Sequence, residues 1–309
     1  MLLYFCHMAN YPQVSVVIPT YNRAEMLRGA LESVRAQTVP ASQVAVVDDG
    51  STDHISEVVR DLASSGLPIV YLTGPHRDRL GEARNRGVEA TGGEWIAFLD
   101  SDDIWKPERL RRQLDAIARM PYARFAFCNL HRFDENGLIG SKPYLSPSAD
   151  YNGRILGHVL EEPVVVPSAF MVRRDAFKRF GGFSGRQINE DYELIVKLAA
   201  EYRACYVPET LVLHRAHGGN RSMAQRRRSM LEYLDIVQGF LAGHPNLPLD
   251  ARVRGRRGLA NVHFKLARFY IEAGDRQAAR RHLRSLVRIR PWDRRAFLAY
   301  LASFRNSNR

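Results

Sequence analysis

Between residues 14 and 129, short runs of β-branched and aromatic residues alternate with longer stretches whose apolar positions recur at helical spacing. The runs 14–18, 44–47, 69–72, 95–99 and 125–128 have strand length, and the stretches 24–35, 53–63, 81–90 and 107–119 read as helices. Pro107 is expected at the first helical position of the last of these, where its missing N–H removes no hydrogen bond. Strand and helix in regular alternation predict a doubly wound α/β domain, with a mostly parallel central sheet and helices on both faces.

From residue 131 to 171 the pattern becomes irregular, with the turn Asp134-Glu-Asn-Gly137 and apolar runs at 164–166 and 169–172. A helix at 175–180, a break at Gly181-Gly182 and a helix at 191–201 follow, and this half reads as a subdomain distinct from the regular α/β half. Beyond Ser222 the chain is helical. Residues 260–291 resemble one tetratricopeptide-like unit, carrying Leu266, Ala267, Tyr270, Gly274-Asp275, Ala278, Leu283 and Pro291. A single unit has no stacked neighbour to complete a solenoid, so a helical hairpin packed on the catalytic domain or on a second chain is expected. The domain boundaries expected are a disordered or irregular extension at 1–11, a catalytic α/β domain at 12–221 and a basic helical region at 222–309.

Charge sharpens that last boundary. Residues 1–221 carry 26 Lys and Arg against 27 Asp and Glu, whereas residues 222–309 carry 19 against 6, so the whole excess behind the net charge of +12 lies in the helical tail. Such asymmetry points to an anionic partner, or else to a solvated face of Arg-rich helices. Cys6, Cys128 and Cys205 match neither a zinc spacing nor a disulfide framework, and a reducing cytoplasm is the simplest setting. The apolar opening MLLYFCH is too short to span a bilayer and lacks a basic flank.

In open α/β sheets ligands bind at the carboxyl ends of the strands. Here the first strand leads into Pro19-Thr20-Tyr21-Asn22, the second into Asp48-Asp49-Gly50-Ser51 and the fourth into Asp100-Ser101-Asp102-Asp103. Asp48-Asp49-Gly50-Ser51 also suits a plain turn followed by a helix cap. Three carboxylates within four residues repel one another unless a cation or a basic partner is present. A hard divalent ion, Mn²⁺ or Mg²⁺, held by carboxylate and substrate phosphates fits that need.

The segments VSVVIPTYNR, VVDDGSTD, GEARNRG, GGEWIAFLDSDD with W-K-P, GGF, NEDYEL and RAHGGN occur in an order and spacing that resemble a family 2 glycosyltransferase of the GT-A fold, over about residues 14–222. The resemblance implies an inverting enzyme that moves one sugar from a nucleoside diphosphate, most simply a UDP-sugar, to an acceptor hydroxyl in cell-envelope polysaccharide or glycolipid synthesis. It implies nucleotide-sugar contacts from Pro19, Thr20, Tyr21, Asn22, Asp48, Asp49, Arg79, Arg84, Asn85, Asp100, Ser101, Glu190 and His217, with Asp49 accepting from the base N–H. Asp102 is implied as the metal ligand, with Asp100 and His217 as weaker contributors and His214 weaker still in the place of His217. Asp191 is implied as the general base. Asp191 also suits a helix N-terminal acid stabilised by the macrodipole.

The Gln-x-x-Arg-Trp signature of processive synthases is missing after Asp191, which implies single transfer. A catalytically silent nucleotide-sugar sensor or scaffold acting through the tail is the alternative. A nucleic-acid-binding role ranks below both, because the tail lacks an aromatic-interleaved module. The expected setting is cytoplasmic and peripheral on the inner membrane face, with Arg226 to Arg228 and the basic stretch 252–257 meeting anionic headgroups.

Overall fold

The computed structural model describes residues 11–146, 148–216 and 225–295. Among them, nine strands form one sheet: β1 Val14–Thr20, β2 Gln43–Asp48, β3 Ile69–Thr73, β4 Trp95–Phe98, β5 Ile104–Trp105, β6 Ala123–Asp134, β7 Gly137–Leu138, β8 Phe170–Arg173 and β9 Arg203–Arg215. The order is β3-β2-β1-β4-β8-β6-β9-β5, with β7 paired to β6. The first four strands are parallel, β8 is antiparallel to both of its neighbours, and β6 and β9 run parallel to each other.

Helices α1 Ala24–Arg35, α2 Ile55–Ser64, α3 Leu80–Glu89 and α4 Arg109–Arg119 follow strands of this sheet. Period-2 alternation divides the strand side chains between two faces. Val14, Val16, Ile18, Val44 and Val46 share a core with Leu27 and Leu31 of α1, Val58 and Leu62 of α2, and Leu110 and Leu114 of α4. On the other face Val17, Ala45 and Val47 meet α3 at Gly87, where a Cβ would lie 2.5 Å from the Val17 side chain. A glycine at that position is what lets α3 settle onto the sheet.

Three elements around the sheet depart from the sequence expectation. Helix α4 starts at Arg109, and Pro107 sits in the preceding turn, where its carbonyl accepts the Thr38 N–H at 2.9 Å. The run 164–166 joins no ladder and leads into a short 3-10 turn at Pro167–Ala169. Strand β9 is not evident from the pattern because Pro208 and Glu209 interrupt its alternation. In the β6–β9 ladder Cys128 faces Val207 and Asn129 faces Thr210, so both residues fall in an irregularity of the kind that accommodates proline in a sheet.

The described residues separate into two compact units, the first lying within 1–155 and 164–217 and the second within 156–163 and 218–309. The short helix α5 Leu156–Glu161 therefore folds with the helical unit, although it lies within the sequence span expected for the α/β domain. Helices α6 Arg174–Arg179 and α7 Glu190–Glu201 belong to the first unit. The second continues with α8 Arg226–Gly243, α9 Leu249–Glu272 and α10 Arg276–Ile289. Glu161 of α5 pairs with Arg254 at 2.8 Å and Arg257 at 3.1 Å, and the Tyr233 hydroxyl donates to the Leu160 carbonyl at 2.6 Å. The α9–α10 hairpin turns at Gly274, Asp275 caps α10 by accepting the Ala278 N–H, and Ala260, Ala267, Leu283 and Leu286 form its apolar seam.

Across that hairpin the rings of His263 and His282 meet nitrogen to nitrogen at 3.0 Å, so one must donate and the other accept, which requires at least one of them to be neutral. Burial, aided by His282, pushes His263 down to about 4. An unfolded histidine titrates near 6.5, so the unfolded chain binds the proton first as pH falls. The stability contributed by this pair is thus present above about 6.5 and lost on descent toward about 4. Thermal unfolding of the helical signal by circular dichroism is expected to shift downward between pH 7 and pH 5 (roughly the upper part of that window). The shift should shrink in His263→Asn, and an identical pH profile in that variant would refute the assignment.

Candidate active site

At the end of β4 the chain turns through Asp100-Ser101-Asp102-Asp103, closed by the Asp103 N–H donating to the Asp100 carbonyl at 3.0 Å. Ser168 pins the start of this turn: its hydroxyl accepts the Asp100 N–H at 3.0 Å while its carbonyl accepts the Trp105 indole N–H at 2.8 Å. The mutual repulsion of the three carboxylates is met residue by residue. Asp100 receives Arg84 at 2.6 Å, Asp102 receives Arg23 at 2.5 Å, and Asp103 lies 3.0 Å from His214 and accepts the Arg215 N–H at 2.8 Å. Burial pushes the Asp103 carboxyl above the usual range, while His214 pulls it the other way. Burial opposes charge on His214 as well, but its hydrogen bond to Asp103 and the nearby Asp100 and Asp102 raise it on balance.

Arg84 carries the longest connection. It projects from α3, is only 2% exposed, and its two terminal nitrogens reach Asp100 and, at 2.7 Å, Glu190 in the first turn of α7. Gly81, one turn earlier, allows this approach, since a Cβ there would fall 2.9 Å from both the Glu190 side chain and the Ser184 carbonyl. Asn85 completes the clasp, accepting the Phe183 N–H at 3.0 Å and donating to the Phe183 carbonyl at 2.9 Å. Burial works against charge on Arg84, but Asp100, Glu190 and Asp191 outweigh it and hold the guanidinium above its ordinary value.

Asp191 is next to Glu190 and half-buried. Burial raises its carboxyl, Arg84 and the Tyr192 N–H lower it, Asp100 raises it again, and the net direction is upward. The structure thus places Asp100 and Asp191 within one electrostatic neighbourhood centred on Arg84, although strand and helix are about ninety positions apart in the chain.

The Asp48-Asp49 cluster is built differently. Thr20 faces Asp48 in the β1–β2 register. Asp48 is a brace, accepting the Ser51 N–H at 2.9 Å and the Tyr71 hydroxyl at 2.7 Å. Burial and that bond push the Tyr71 phenol upward. Asp49 accepts the N–H groups of Arg77 and Asp78 at 3.0 to 3.2 Å and lies 2.8 Å from the His76 ring. That ring stacks on Tyr21, with centroids 3.9 Å apart and planes 13° from parallel. The Thr20 hydroxyl oxygen is buried with no hydrogen-bond partner among the described residues. Asn22 adopts a left-handed backbone (φ 49°) and its amide oxygen accepts the Thr52 N–H at 2.8 Å, tying the first two strand ends together.

Pro19 is the penultimate residue of β1, and Ser101 is buried within the acidic turn. Arg79 sits at the N-cap position of α3 without a side-chain capping bond; it donates to the Gly185 carbonyl at 2.7 Å and lies 3.8 Å from Glu82, a salt-bridged surface position. His217 lies outside the described residues. Sequence reasoning passed over Ser168, His76 and the pairing role of Arg23. Their signals were weak, since a buried serine, a loop histidine and an arginine after Asn22 acquire meaning only from what they touch.

No group of three or more His, Cys, Asp or Glu side chains able to hold a metal ion occurs among the described residues. The donor chemistry still fits a hard ion that arrives with a diphosphate, because such ions are commonly held by one or two carboxylates plus substrate phosphates. Asp102 is itself buried and paired to the partly exposed Arg23, and its carboxylate has the oxygen donor such an ion requires.

Residues 15–181 match the family model described as glycosyl transferase family 2. Among curated proteins, the chain is 28% identical over 191 residues to an uncharacterised glycosyltransferase of Haemophilus influenzae, covering 61% of this chain and 62% of that protein. It is 40% identical over 105 residues to one from Nostoc, covering 34% of this chain and 33% of that protein. The match therefore spans less than two thirds of the length of either relative. Among solved structures, S. aureus TarS 1-349 in complex with UDP-GlcNAc superposes with a TM-score of 0.69 at 17% identity, covering 94% of this chain and 89% of that one. The mannosyltransferase PcManGT from Pyrobaculum calidifontis, in complex with GDP-Man and Mn²⁺, gives 0.62 at 20% identity over 98% and 86%.

Removing one member of a buried ion cluster leaves the others uncompensated, which typically costs about 3–5 kcal/mol. Arg84→Met is expected to lower unfolding free energy by that order, and Arg84→Lys to recover only part, since an ammonium lacks the planar fork that spans two carboxylates. Denaturant titration of the three proteins checks this, and a methionine variant as stable as the parent would contradict the central role given to Arg84.

Proposed function

The chain belongs to glycosyl transferase family 2, and its fold is of the GT-A type; from that premise we propose that it transfers a single sugar, with inversion, from a nucleoside-diphosphate sugar to an acceptor hydroxyl. The observation that carries the reading is the Arg84 bridge, which draws the β4 carboxylate Asp100 and the α7 carboxylate pair Glu190 and Asp191 together. Inverting transfer needs one base facing the acceptor and a stabilised leaving group on the opposite side, and it needs no enzyme nucleophile.

Asp191 is the base. Its raised carboxyl suits proton abstraction nearer neutrality better than an ordinary aspartate, because general-base efficiency improves as the pKa approaches the working pH. Arg84 ties Glu190 to Asp100, and so orients the first turn of α7 on which Asp191 sits. At the other end, Asp49 accepts the N–H of a uracil base beside the Tyr21–His76 stack. An ionised carboxylate offers about four acceptor positions, so its loop partners leave room for one more donor. The buried Thr20 hydroxyl is positioned to serve the bound nucleotide, as such groups seldom remain unsatisfied. UDP-GlcNAc in the TarS complex supports a UDP-sugar, and GDP-Man in the mannosyltransferase complex supports a nucleotide-sugar donor generally. The sugar acceptor belongs to cell-envelope polysaccharide or glycolipid.

Asp102, with Asp100 beside it, is proposed to hold a divalent ion, Mn²⁺ or Mg²⁺, and the Mn²⁺ in the mannosyltransferase complex supports this. When bound, the ion neutralises charge developing on the diphosphate. Because the described residues offer no three-ligand group, metal and nucleotide are expected to bind together.

Two outcomes test the reading. With UDP-sugars and a hydroxyl acceptor, Asp191→Asn is expected to lose about 10²- to 10⁴-fold in turnover while binding UDP normally. In the parent, turnover should rise with pH through a midpoint above the ordinary aspartate range, since the base must be ionised and burial raises it. Normal turnover in the asparagine variant would remove Asp191 from the mechanism. In calorimetry, Mn²⁺ should bind the nucleotide-free protein weakly and tightly once UDP is present. Asp102→Asn should erase that enhancement, and its persistence would exclude Asp102 as the ligand.

A further inference from the structure

Helix α10 reads Arg-Gln-Ala-Ala-Arg-Arg-His-Leu-Arg-Ser-Leu-Val-Arg-Ile, with five arginines and no acidic residue. Ala278, Ala279, Leu283 and Leu286 are buried against α9. At 100° per residue, Arg281, Arg284 and Arg288 fall within a narrow stripe on the opposite side of the helix, spanning about 10 Å along its axis. All three are exposed, and none has a carboxylate partner among the described residues. Elsewhere in the helical unit the balance differs: Arg228 pairs with Glu232, Arg254 with Glu161 and Asp250, and Arg257 with Glu161. Several of the basic residues at 226–228 and 252–257 that the sequence singles out are thus already committed to internal carboxylates.

The stripe is accompanied by apolar exposure. Val287, one residue from Arg288, is 44% exposed, and Trp292, three residues past the helix end, is 94% exposed. A tryptophan left almost wholly in water is unfavourable unless something covers it, and its amphipathic ring is suited to the headgroup level of a bilayer. Unpaired guanidinium groups opposite the buried seam, with a tryptophan at the helix end, have the composition of a helix that lies on a charged membrane surface.

We propose that the outer face of α10, through Arg281, Arg284, Arg288 and Trp292, docks the protein on bilayers rich in anionic phospholipid. The arginines supply attraction to phosphate-bearing headgroups, and the indole inserts at the interface. Such binding is peripheral, and no helix among the described residues is long and apolar enough to cross a membrane. A single-stranded nucleic acid would present the same phosphate charge. However, the stripe lies on the convex side of one helix, whereas nucleic-acid strands are usually held in grooves with several aromatic platforms.

The chain carries its own probe. Its three tryptophans are Trp95 and Trp105, which are 3% and 2% exposed, and Trp292, so a blue shift of indole emission on adding vesicles reports Trp292 leaving water. The full-length protein is expected to bind phosphatidylcholine vesicles increasingly as phosphatidylglycerol is added, to shift its emission as it does so, and to detach as salt rises. Combined Arg281→Gln, Arg284→Gln and Arg288→Gln should weaken partitioning by about a hundredfold, at roughly fivefold per arginine, with an unchanged circular dichroism spectrum. Trp292→Phe should abolish the emission shift while leaving most of the binding. Binding by the triple variant equal to the parent, equal binding to neutral vesicles, or tighter salt-sensitive binding to an oligonucleotide than to anionic vesicles would each overturn the proposal.

Discussion

A guanidinium enclosed between carboxylates from two distant elements sets the geometry around it. Arg84 reaches from α3 to Asp100 at the tip of β4 and to Glu190 at the start of α7, and it is nearly sealed from solvent while doing so. A charge in that position survives only with its partners in place, because desolvation would otherwise exceed any single attraction. The local backbone follows from this demand. Gly81 removes the side chain that would obstruct Glu190, and Asn85 clasps the Phe183 backbone so that the chain enters α7 at the required angle.

The acidic turn obeys the same rule of local neutralisation. Each of its three carboxylates has its own basic partner, from α1's leading residue Arg23, from Arg84, and from His214 and Arg215 at the end of β9. Strand β9 therefore closes the site from the far side of the sheet, a position it reaches by running parallel to β6 across an irregularity at Pro208 and Glu209. Asp49 and Asp48, adjacent in the chain, have unlike duties: one braces its own turn through Ser51 and Tyr71, the other gathers the loop 76–78 beneath a stacked Tyr21–His76 pair.

The helical unit rests on different physics. Its seam is apolar, several of its ion pairs are one helical turn apart, and a segment from the middle of the chain, α5, is incorporated through Glu161 and the backbone carbonyl of Leu160. The sequence expectation drew the boundary at residue 222 because charge composition changes there. The eight residues 156–163 carry no such signature, and only packing assigns them to the helices.

Elements of the parallel half were legible because burial on both faces imposes continuous apolar runs, and helix periodicity imposes its own spacing, whatever the partners. The strand-end motifs were legible for a related reason: polar residues at strand tips recur in order along the chain, so the family could be read from their succession. What could not be read was pairing. Whether Asp102 faces a cation of the protein, whether Asp48 binds or braces, and whether Ser168 or His76 matters all depend on distances between segments roughly 20 to 110 residues apart. Sequence patterning encodes which side chains must leave water, because that requirement is local. The choice of partner for each buried charge is decided by the tertiary fold, because electrostatic compensation depends on where the other charges come to rest in space.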